Sequence, residues 1–312
     1  MSPNKTTPLV SVVIPTRNRC ALVVRAVTSV LMQTHTDLEC IVVDDASTDA
    51  TKEAIMEIRD PRLRYIRHES NRGASASRNQ GIIQAQGSYI ALLDDDDTWL
   101  PEKIEKQLGV FANASENVGL VYCGFNFVAA HSDKIIATAQ PTKRGYVYAE
   151  MLASCILGSP TPLIKKESLL KVGLFDETLP GCQDWDLWIR IAKCYAFDFT
   201  PDILARHYVH GNQISANLAA KITARTILLN KHVQDICHFP PILAEHLRRL
   251  GVLHMLAGNV TEARRLLKHA LTIQPHHIFG FAHLMLSFFP GIYRVVLRKY
   301  CLTIVDGIAF YY

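Results

Sequence analysis

Four consecutive carboxylates, Asp94 to Asp97, are the residues of this sequence whose type and spacing most directly suggest chemistry. They follow an apolar run, Tyr89–Leu93, which is typical of a strand buried on both faces of a parallel sheet. Acidic side chains this close together raise one another's pKa unless a positive charge neutralises them. A hard divalent cation, Mg²⁺ or Mn²⁺, takes such oxygen ligands and usually also binds substrate phosphates. Because open α/β sheets bind ligands at the carboxyl ends of their strands, the run predicts a metal–phosphate site rather than a solvated acidic loop.

A second acidic and aromatic cluster, Gln183–Trp188, carries Asp184 and Asp186. Apolar residues recur at helical spacing from Trp185 onward, so the cluster predicts the start of a helix. An Asp at that position commonly serves as a cap or as a partner of the helix dipole. The pattern alone therefore leaves open a structural role and a catalytic one.

Length and composition indicate an ordinary globular protein. The chain has 312 residues, 49% of them hydrophobic and 20% charged, which is enough for a full core and for two domains. Its eight cysteines show no C-x-x-C spacing, which argues against a zinc ribbon or a disulfide scaffold and favours a reducing cytosol. Residues 1–8 lack the apolar core of a signal peptide, and no apolar run reaches about 18 residues. We therefore expect a cytoplasmic protein.

The charge is distributed unevenly along the chain. Residues 1–217 contain 22 Lys and Arg against 25 Asp and Glu, whereas residues 218–312 contain 11 against 4. A mildly acidic first part and a basic second part predict two units with different roles. We place a catalytic domain at 1–217 and a helical region at 218–312.

The elements expected to position the acids alternate between strands and helices. Apolar runs predict buried strands at Val10–Ile14, Cys40–Val43, Leu63–Ile66 and Tyr89–Leu93. Helical periodicity separates them, at Cys20–Gln33, at about 49–58 and at Ala74–Gln86. This order predicts an α/β fold with a mostly parallel central sheet flanked by helices. A helix at about 101–112 and a strand at 120–127 follow, and the pattern then becomes irregular up to about residue 162.

The sequence contains neither G-x-G-x-x-G nor the P-loop pattern, so it lacks both of the common glycine scaffolds for phosphate binding. Four other segments, in this order, resemble the family 2 glycosyltransferases, which have the nucleotide-diphospho-sugar transferase fold. They are Val10–Asn18, Val42–Asp49, Gly73–Gly81 with the Asp94–Asp97 run, and Gln183–Trp188. The resemblance is collinear over roughly residues 9–215.

The resemblance implies a donor site. Pro15, Thr16 and Arg17 would line the base pocket with Asn18 beside them, and Asp45 would accept a hydrogen bond from the base. The family more often has Tyr at the position of Arg17, whose guanidinium can also stack on a base. Arg72 and Arg78 would hold the diphosphate, and Asp94 and Asp95 would contact the ribose and the metal shell. Asp96 would ligate Mn²⁺ or Mg²⁺.

The resemblance also implies the catalytic residues. Asp184 would be the general base that takes the proton of an acceptor hydroxyl, with inversion at the anomeric carbon. Gln183, where the family usually has Glu, and Trp185 would contact the acceptor. His210 would reach the metal or the diphosphate, with His207 as the less favoured choice; a structural histidine remains the alternative for both.

The basic second region contains two further patterns. Residues at about 243–275, from Leu247 to Pro275, fit one tetratricopeptide-like helical hairpin, which would be a docking site or only a support for the catalytic domain. An apolar stretch, Phe281–Tyr293, precedes Arg294, Arg298 and Lys299. It would lie in the interface of an anionic membrane or pack as an ordinary core helix, so partner or membrane contacts would involve residues 276–312.

Three functions follow from these patterns. The leading hypothesis is an inverting glycosyltransferase of hexosyl or N-acetylhexosaminyl type, using a nucleotide sugar, in particular a UDP-sugar. Its acceptor would be a surface glycan or a lipid-linked glycan, and no nucleic acid is expected as a partner. A sugar nucleotidylyltransferase would instead carry a glycine-rich basic loop after the first strand, where this chain has Pro15–Arg19. A catalytically weak scaffold acting through its helical tail would not need Asp94–Asp96 and Asp184.

Overall fold

A computed structural model describes residues 9–210, 217–293 and 295. Its contacts divide the chain into two compact units, which we describe separately. The first comprises residues 1–147, 156–177 and 187–208, and the second comprises 148–155, 178–186 and 209–312. The predicted domain boundary at residue 217 concerns function and stays a prediction.

The first unit is built around a parallel sheet formed by four strands. These strands are β1 (Val10–Thr16), β2 (Leu38–Asp44), β3 (Leu63–Arg67) and β4 (Tyr89–Leu92). β1 lies between β2 and β4, and β3 extends the sheet beyond β2. Helices α1 (Cys20–Leu31), α2 (Thr51–Glu57) and α3 (Ala74–Gln84) connect them. All residues of β1 and β2 are buried, as expected for strands covered on both faces.

Mainly antiparallel strands extend the sheet beyond β4, and two helices accompany them. The strands are β5 (Thr98–Trp99), β6 (Val118–Ala129), β7 (Lys134–Ala139), β8 (Leu163–Lys165) and β9 (Ala196–Val209), and the helices are α4 (Lys103–Asn113) and α6 (Lys166–Val172). The strand order is β3-β2-β1-β4-β8-β6-β9-β5, and β7 pairs with β6. β8 runs antiparallel to both β4 and β6. The predicted α/β class is confirmed, with these antiparallel strands added to the parallel half.

Glu39, a buried acid, stabilises the edge of the sheet at which the parallel strands begin. The carboxylate of Glu39 accepts hydrogen bonds from Ser11 Oγ, the Gln86 backbone N–H and Arg64 Nη1, each at 2.6 Å. Ser11 Oγ also accepts the backbone N–H of Gly87 at 2.8 Å. Burial alone would raise the pKa of Glu39, but these hydrogen bonds lower it below its usual value. This edge is opposite the carboxyl ends of the strands, so Glu39 stabilises the fold rather than a site there.

Helix α3 packs closely on β1 and fixes a distant loop. A Cβ atom on Gly81 would lie 2.3 Å from Val13 Cγ1, so glycine is required for this approach. Two residues before Gly81 on α3, the buried Asn79 side chain accepts the Phe175 backbone N–H and donates to the Phe175 carbonyl, both at 2.9 Å. The same amide donates to Glu177 Oε1 at 2.9 Å. Part of the Gly73–Gly81 motif is therefore structural.

The second unit is helical. It contains α5 (Tyr148–Ala153), the first turn of α7 (Gln183–Cys194), α8 (Leu218–Lys231) and α9 (Val233–Ile236). It also contains α10 (Pro240–Ala257), α11 (Val260–Ile273) and α12 (Ile278–Leu286). Gly258 ends α10 in the left-handed region (φ 88°), which favours glycine, and the chain turns there into α11. The predicted hairpin is therefore present, but a tetratricopeptide character is not established by it.

The sequence patterns located most elements of the first hundred residues to within a few positions. The irregular stretch before residue 162 contains β7 and α5, which the patterns did not predict. None of the helices in the described residues has the length and hydropathy of a membrane-spanning segment. The predicted cation Arg294 and the later tail residues, 296–312, lie outside the described residues.

Candidate active site

The Asp94–Asp97 run forms a tight turn at the carboxyl end of β4. The Leu93 backbone N–H donates to the Val13 carbonyl at 3.1 Å, which keeps β4 against β1 up to this point. The Asp97 backbone N–H then donates to the Asp94 carbonyl at 3.1 Å and closes the turn. The segments that follow β1 and β4 therefore meet at one edge of the sheet, as predicted for neighbouring parallel strands.

Residues at the end of β1 and just after it contact the middle of this turn. Thr16 Oγ1 donates to Asp95 Oδ2 at 2.8 Å. Arg19 Nη1 lies 2.8 Å from Asp95 Oδ1 and 2.9 Å from Asp96 Oδ2, so one guanidinium group bridges two carboxylates. Arg25 Nη2 donates to the Asp96 backbone carbonyl at 2.6 Å. The predicted site residue Thr16 is thus placed beside Asp95, and Arg19 and Arg25 were not predicted.

The two outer carboxylates of the turn also have cationic partners. Arg78 Nη2 lies 2.6 Å from Asp94 Oδ1, and its guanidinium carbon lies 5.3 Å from the centre of the Phe175 ring. His207 Nδ1 lies 2.9 Å from Asp97 Oδ2, and the Tyr208 backbone N–H donates to Asp97 Oδ1 at 3.0 Å. The protein therefore supplies positive groups to all four carboxylates.

The charges of the turn are set by burial and by these partners. Burial raises the pKa of Asp95 to about 6, although Arg19 and Thr16 oppose the effect. Burial also raises the pKa of Asp94, but Arg78 outweighs it and holds that pKa below its usual value. Burial lowers the pKa of His207, whereas the adjacent Asp97 carboxylate more than compensates and raises it. The four carboxylates of the turn thus share three cationic side chains, Arg19, Arg78 and His207, so the turn is only partly neutralised.

The donor set of the turn fits a hard divalent cation. Asp94, Asp96 and Asp97 each offer a carboxylate oxygen, and these oxygens lie within 4.8 Å of one another. Two oxygens on one Mg²⁺ ion, at bonds of about 2.1 Å, lie at most about 4.2 Å apart, so small side-chain rotations would complete the set. Asp96, the predicted ligand, belongs to this group. Asp97 was not among the predicted ligands.

The carboxylate of Asp45, which follows β2, is buried and already accepts three hydrogen bonds. They come from His68 Nδ1 at 2.9 Å and from the backbone N–H groups of Arg72 at 2.7 Å and Gly73 at 2.8 Å. Burial raises the pKa of Asp45, but these donors lower it below its usual value. An ionised carboxylate has about four acceptor positions, so about one remains for the predicted hydrogen bond to a base.

The loops after β1 and β2 are fastened to each other by Asn18. Its backbone N–H donates to Ser47 Oγ at 2.9 Å, and its Oδ1 accepts the Thr48 backbone N–H at 2.7 Å. Asn18 has a φ of 52°, in the left-handed region that Asn tolerates better than most residues. Pro15 is buried, whereas Arg17 is exposed and open to solvent. Asn18 therefore shapes the predicted base pocket, and Arg17 is available to a ligand.

The remaining predicted residues belong to the second unit. Gln183, Asp184 and Trp185 occupy the first turn of α7. Asp184 and Gln183 are half-buried, and Gln183 Nε2 donates to the Leu179 carbonyl at 3.0 Å. His210 follows β9 and is also half-buried. Their roles as base, acceptor contact and metal ligand stay predictions.

Trp185 is enclosed by its own unit. Its indole is 5% exposed, stacks on the His246 ring at 5.7 Å between ring centres, and lies 5.3 Å from the Arg225 guanidinium carbon. Its Nε1–H donates to the Met151 carbonyl at 2.6 Å. These contacts give Trp185 a structural role within its unit, and its predicted contact with an acceptor sugar stays a prediction.

The next acid in this turn, Asp186, is structural. It is fully buried, and its Oδ1 lies 2.9 Å from both Lys231 Nζ and His232 Nε2 at the end of α8. This ion pair fastens α7 to α8 within the unit. Of the two acids at this helix start, Asp184 is thus the one with solvent access.

The patterns missed Arg19 and Arg25 as parts of the site, included Asp97 in the acidic run without assigning it as a ligand, and ranked His207 below His210. Arg19 had a detectable signal, since it lies two residues beyond Arg17 and just before a predicted helix that begins at the carboxyl end of β1. The contact between His207 and Asp97 had no such signal, because the two residues are far apart in sequence and the pairing of β5 with β9 brings them together.

Comparison with known proteins identifies the family. Residues 11–144 match the family described as "Glycosyl transferase family 2". The TuaG protein of Bacillus subtilis, named for teichuronic acid biosynthesis, is 32% identical over 219 residues, covering 67% of this chain and 82% of TuaG. The WcaA protein of Escherichia coli, named for colanic acid biosynthesis, is 31% identical over 252 residues, covering 73% of this chain and 82% of WcaA. The chain belongs to the family 2 glycosyltransferases.

Other relatives extend beyond this chain. An uncharacterised glycosyltransferase of Rickettsia bellii is 31% identical over 228 residues, which cover 68% of this chain but only 31% of that protein. Among solved structures, Staphylococcus aureus TarS 1-349 in complex with UDP-GlcNAc aligns with a TM-score of 0.64 and 18% identity, covering 94% and 91% of the two chains. The mannosyltransferase PcManGT of Pyrobaculum calidifontis, in complex with GDP-Man and Mn²⁺, aligns with a TM-score of 0.56 and 19% identity, covering 95% and 88%. At these identities the structural alignments show the shared fold alone.

Proposed function

We propose that this protein is an inverting, metal-dependent glycosyltransferase that moves a sugar from a nucleotide-diphospho-sugar to a hydroxyl acceptor. The observation that carries the proposal is the Asp94–Asp97 turn, where three carboxylate oxygens lie within 4.8 Å at the carboxyl edge of the parallel strands. Thr16 and the cations Arg19 and Arg78 surround them. This is the arrangement expected for binding a cation and a diphosphate together.

In this proposal the first unit binds the donor. Arg17 and Asn18 face the base, with Asp45 as the acceptor for its N–H group. Arg72 and Arg78 bind the diphosphate oxygens, and Asp95 contacts the ribose. Mn²⁺ or Mg²⁺ would be held by Asp96 together with Asp94 and Asp97, and when bound it supplies Lewis-acid neutralisation of the leaving diphosphate.

The acid of the second unit acts on the acceptor. Asp184 accepts the proton of the acceptor hydroxyl while that oxygen forms a bond to the anomeric carbon. The bond from the anomeric carbon to the diphosphate oxygen breaks in the same displacement, so the configuration is inverted. Gln183 is half-buried beside Asp184 and is the nearer candidate for orienting the acceptor, since Trp185 is enclosed.

Substrate class is the finer part of the proposal. A UDP-sugar donor is supported by the TarS complex with UDP-GlcNAc, while the PcManGT complex shows that GDP-Man is bound within the same fold. Relatives named for teichuronic and colanic acid biosynthesis support a surface polysaccharide or glycolipid acceptor. The transferred group would be a hexosyl or N-acetylhexosaminyl residue.

A donor screen tests the proposal directly. Hydrolysis and thermal stabilisation are measured with UDP-glucose, UDP-galactose, UDP-GlcNAc and GDP-mannose, each with Mn²⁺ and with chelator. We expect one uridine donor to be hydrolysed and to stabilise the protein only with metal, and Asp96→Ala to abolish both effects. At 100-fold excess over Kd a ligand contributes about 2.7 kcal/mol to the free energy of unfolding, so its loss is measurable.

The outcomes separate the alternatives. Undiminished hydrolysis in chelator would overturn the metal assignment while keeping the transferase. Stabilisation by GDP-mannose alone would replace the uridine assignment. The absence of any donor binding, in a protein that is folded by circular dichroism, would leave the scaffold alternative.

A further inference from the structure

The segment 278–295 of the second unit exposes a high density of large apolar side chains. It contains eight of the seventeen exposed large apolar side chains among the described residues: Ile278, Phe279, Phe281, Met285, Phe288, Phe289, Ile292 and Val295. Ile278 is 80% exposed and Phe279 is 71% exposed. Scattered apolar residues are normal on a protein surface, whereas a contiguous patch marks an interaction site. We call these eight residues the apolar surface.

The apolar surface belongs to a segment that is fixed from its other side. Tyr293 is fully buried in a cluster with Met255 and Ala263. Arg264 Nη2 donates to the Ser287 carbonyl at 2.9 Å, and its guanidinium carbon lies 4.5 Å from the centre of the Phe288 ring. The exposed side chains are therefore displayed by a packed segment and are not the frayed end of a helix.

Spacing gives the apolar surface a direction. On α12, Ile278, Phe281 and Met285 are separated by three and four residues, so they share one face of the helix. After the turn at 287–289, Ile292 and Val295 continue the exposed apolar set. A stripe of this kind suits a flat apolar boundary, into which a helix sinks along its length.

The charge around the apolar surface points to the partner. The sequence has no Asp or Glu between residues 263 and 305, and the described part of this stretch holds Arg264, Arg265, Lys268 and four His; Arg265 is paired with Glu262. Lys268, His269 and His276 are exposed in the described part. A second copy of this chain would bring an equally basic surface against it, which opposes self-association. An anionic lipid surface is complementary to both the apolar and the cationic groups.

We propose that the apolar surface binds the interface of an anionic membrane, with its phenylalanine and isoleucine side chains at the boundary between headgroups and acyl chains. The neighbouring cations then pair with lipid phosphates. Binding of this type is peripheral and needs no spanning helix. The proposal concerns the second unit alone and holds whether or not the transferase assignment is correct.

Vesicle sedimentation of the full chain tests the proposal. The vesicles contain phosphatidylcholine alone or phosphatidylcholine with about 30% phosphatidylglycerol, which makes their surface anionic. We expect binding to the anionic vesicles, weaker binding at about 1 M salt because the charges are screened, and little binding to neutral vesicles. In Ile278→Ser/Phe289→Ser, we expect the partition coefficient to fall about tenfold or more, since two large side chains no longer enter the apolar boundary.

Matched variants distinguish binding through the apolar surface from non-specific adsorption to vesicles. Ile83→Ser/Ile135→Ser removes two side chains that are 61% and 53% exposed in the first unit, and it should leave vesicle binding unchanged. Lys268→Glu should weaken anionic-vesicle binding several-fold, whereas Lys52→Glu, also exposed, should not. All variants should keep the wild-type melting temperature.

Three results would overturn the proposal. They are failure of the wild-type protein to bind either vesicle, equal binding to neutral and anionic vesicles, and an equal loss in both double variants. Sedimentation equilibrium without lipid adds a fourth: a wild-type dimer that Ile278→Ser/Phe289→Ser converts to monomer would assign the surface to self-association instead.

Discussion

The two acidic clusters of this protein hold their carboxylates in different ways. In the Asp94–Asp97 turn, each carboxylate is paired with a cation from another element, and the side chain of Arg19 is 30% exposed. In the first turn of α7, Asp186 is fully buried and bonded to both Lys231 and His232. A partly exposed guanidinium can leave its carboxylates when a ligand arrives, because water replaces the lost contacts. Lys231 is exposed to a similar extent (32%), but the Asp186 carboxylate is fully buried and would remain as an uncompensated charge if its contacts opened.

This difference shows why acid content alone does not identify a site. Asp184 and Asp186 are two residues apart on one helix, yet only Asp184 has solvent access. The chemistry proposed here therefore assigns exchangeable contacts to the Asp94–Asp97 turn, a proton acceptor to Asp184, and stability to Asp186. Each assignment predicts a different measured quantity.

The largest effect is expected at Asp184. Asp184→Asn keeps the shape of the side chain but cannot take a proton at neutral pH, so we expect kcat to fall by about 10²–10⁴-fold. A general base acts only in the transition state, so the affinity for UDP with Mn²⁺ should stay within a factor of about two. Single-turnover rates and calorimetric titration measure the two quantities. Loss of UDP affinity instead would make Asp184 a donor-site residue.

Asp186→Asn should act on stability. Asp186→Asn removes the charge-assisted contact to Lys231, whose side chain is 32% exposed and can be partly hydrated, so we expect a cost of about 2–3 kcal/mol. Urea unfolding should show a lower midpoint with little change in the kcat of the folded fraction. Asp133→Asn, at an exposed turn where Asn also tolerates the positive φ, is the matched control and should change neither. A wild-type midpoint in Asp186→Asn would remove the structural assignment.

Acid should destabilise the second unit through His246. Burial, together with the nearby arginines, lowers the pKa of His246 to about 4, and its Nε2–H donates to the Leu152 carbonyl at 2.8 Å. In the unfolded chain the pKa is about 6.5, so between pH 6.5 and 4 the unfolded state binds more protons and stability falls as pH falls. At pH 5 this amounts to about 2 kcal/mol. Urea unfolding at pH 7.5 and pH 5 should show a smaller difference for His246→Gln than for the wild type.

The smallest effect is expected at Arg19. Its guanidinium bridges Asp95 and Asp96, so it competes with a cation for Asp96 when no nucleotide is bound. We expect Arg19→Gln to bind Mn²⁺ about three- to tenfold more tightly in the absence of nucleotide, because a partly exposed ion pair is worth about 1 kcal/mol. Electron paramagnetic resonance of free Mn²⁺ measures this affinity. Arg59→Gln, an exposed arginine elsewhere in the unit, should leave it unchanged, and weaker Mn²⁺ binding in Arg19→Gln would mean that Arg19 holds the turn in its binding geometry.

The parallel half of the sheet could be predicted because its signals are local. β-branched runs marked β1 and β2, and apolar periodicity marked α1. β5 and β8 could not be predicted, since two- and three-residue strands carry no periodicity and depend on pairing with β9 and β4. The acidic turn at Asp94–Asp97 was predictable because its residues are consecutive, whereas its contact with His207 depends on strand pairing and was not predictable.

Residue roles within motifs were less predictable than the motifs themselves. The Gly73–Gly81 segment indicated a donor site, but in the structure Gly81 allows contact with Val13 and Asn79 fixes Phe175. Trp185 suggested a surface for a sugar ring and is enclosed by His246 and Arg225. One-dimensional patterns do not distinguish a side chain that serves the fold from one that faces a ligand.

The buried network of Glu39, Ser11 and Arg64 bears on how this fold can diverge in evolution. It stabilises the amino edge of the sheet and makes no use of the Asp94–Asp97 turn at the carboxyl edge. A descendant could therefore replace Asp96 and still retain a well-packed parallel half of the sheet. Such a pseudoenzyme would keep Ser11, Glu39 and Gly81 but would lack Asp96. A sequence with the first three residues and without the fourth would therefore be a candidate pseudoenzyme.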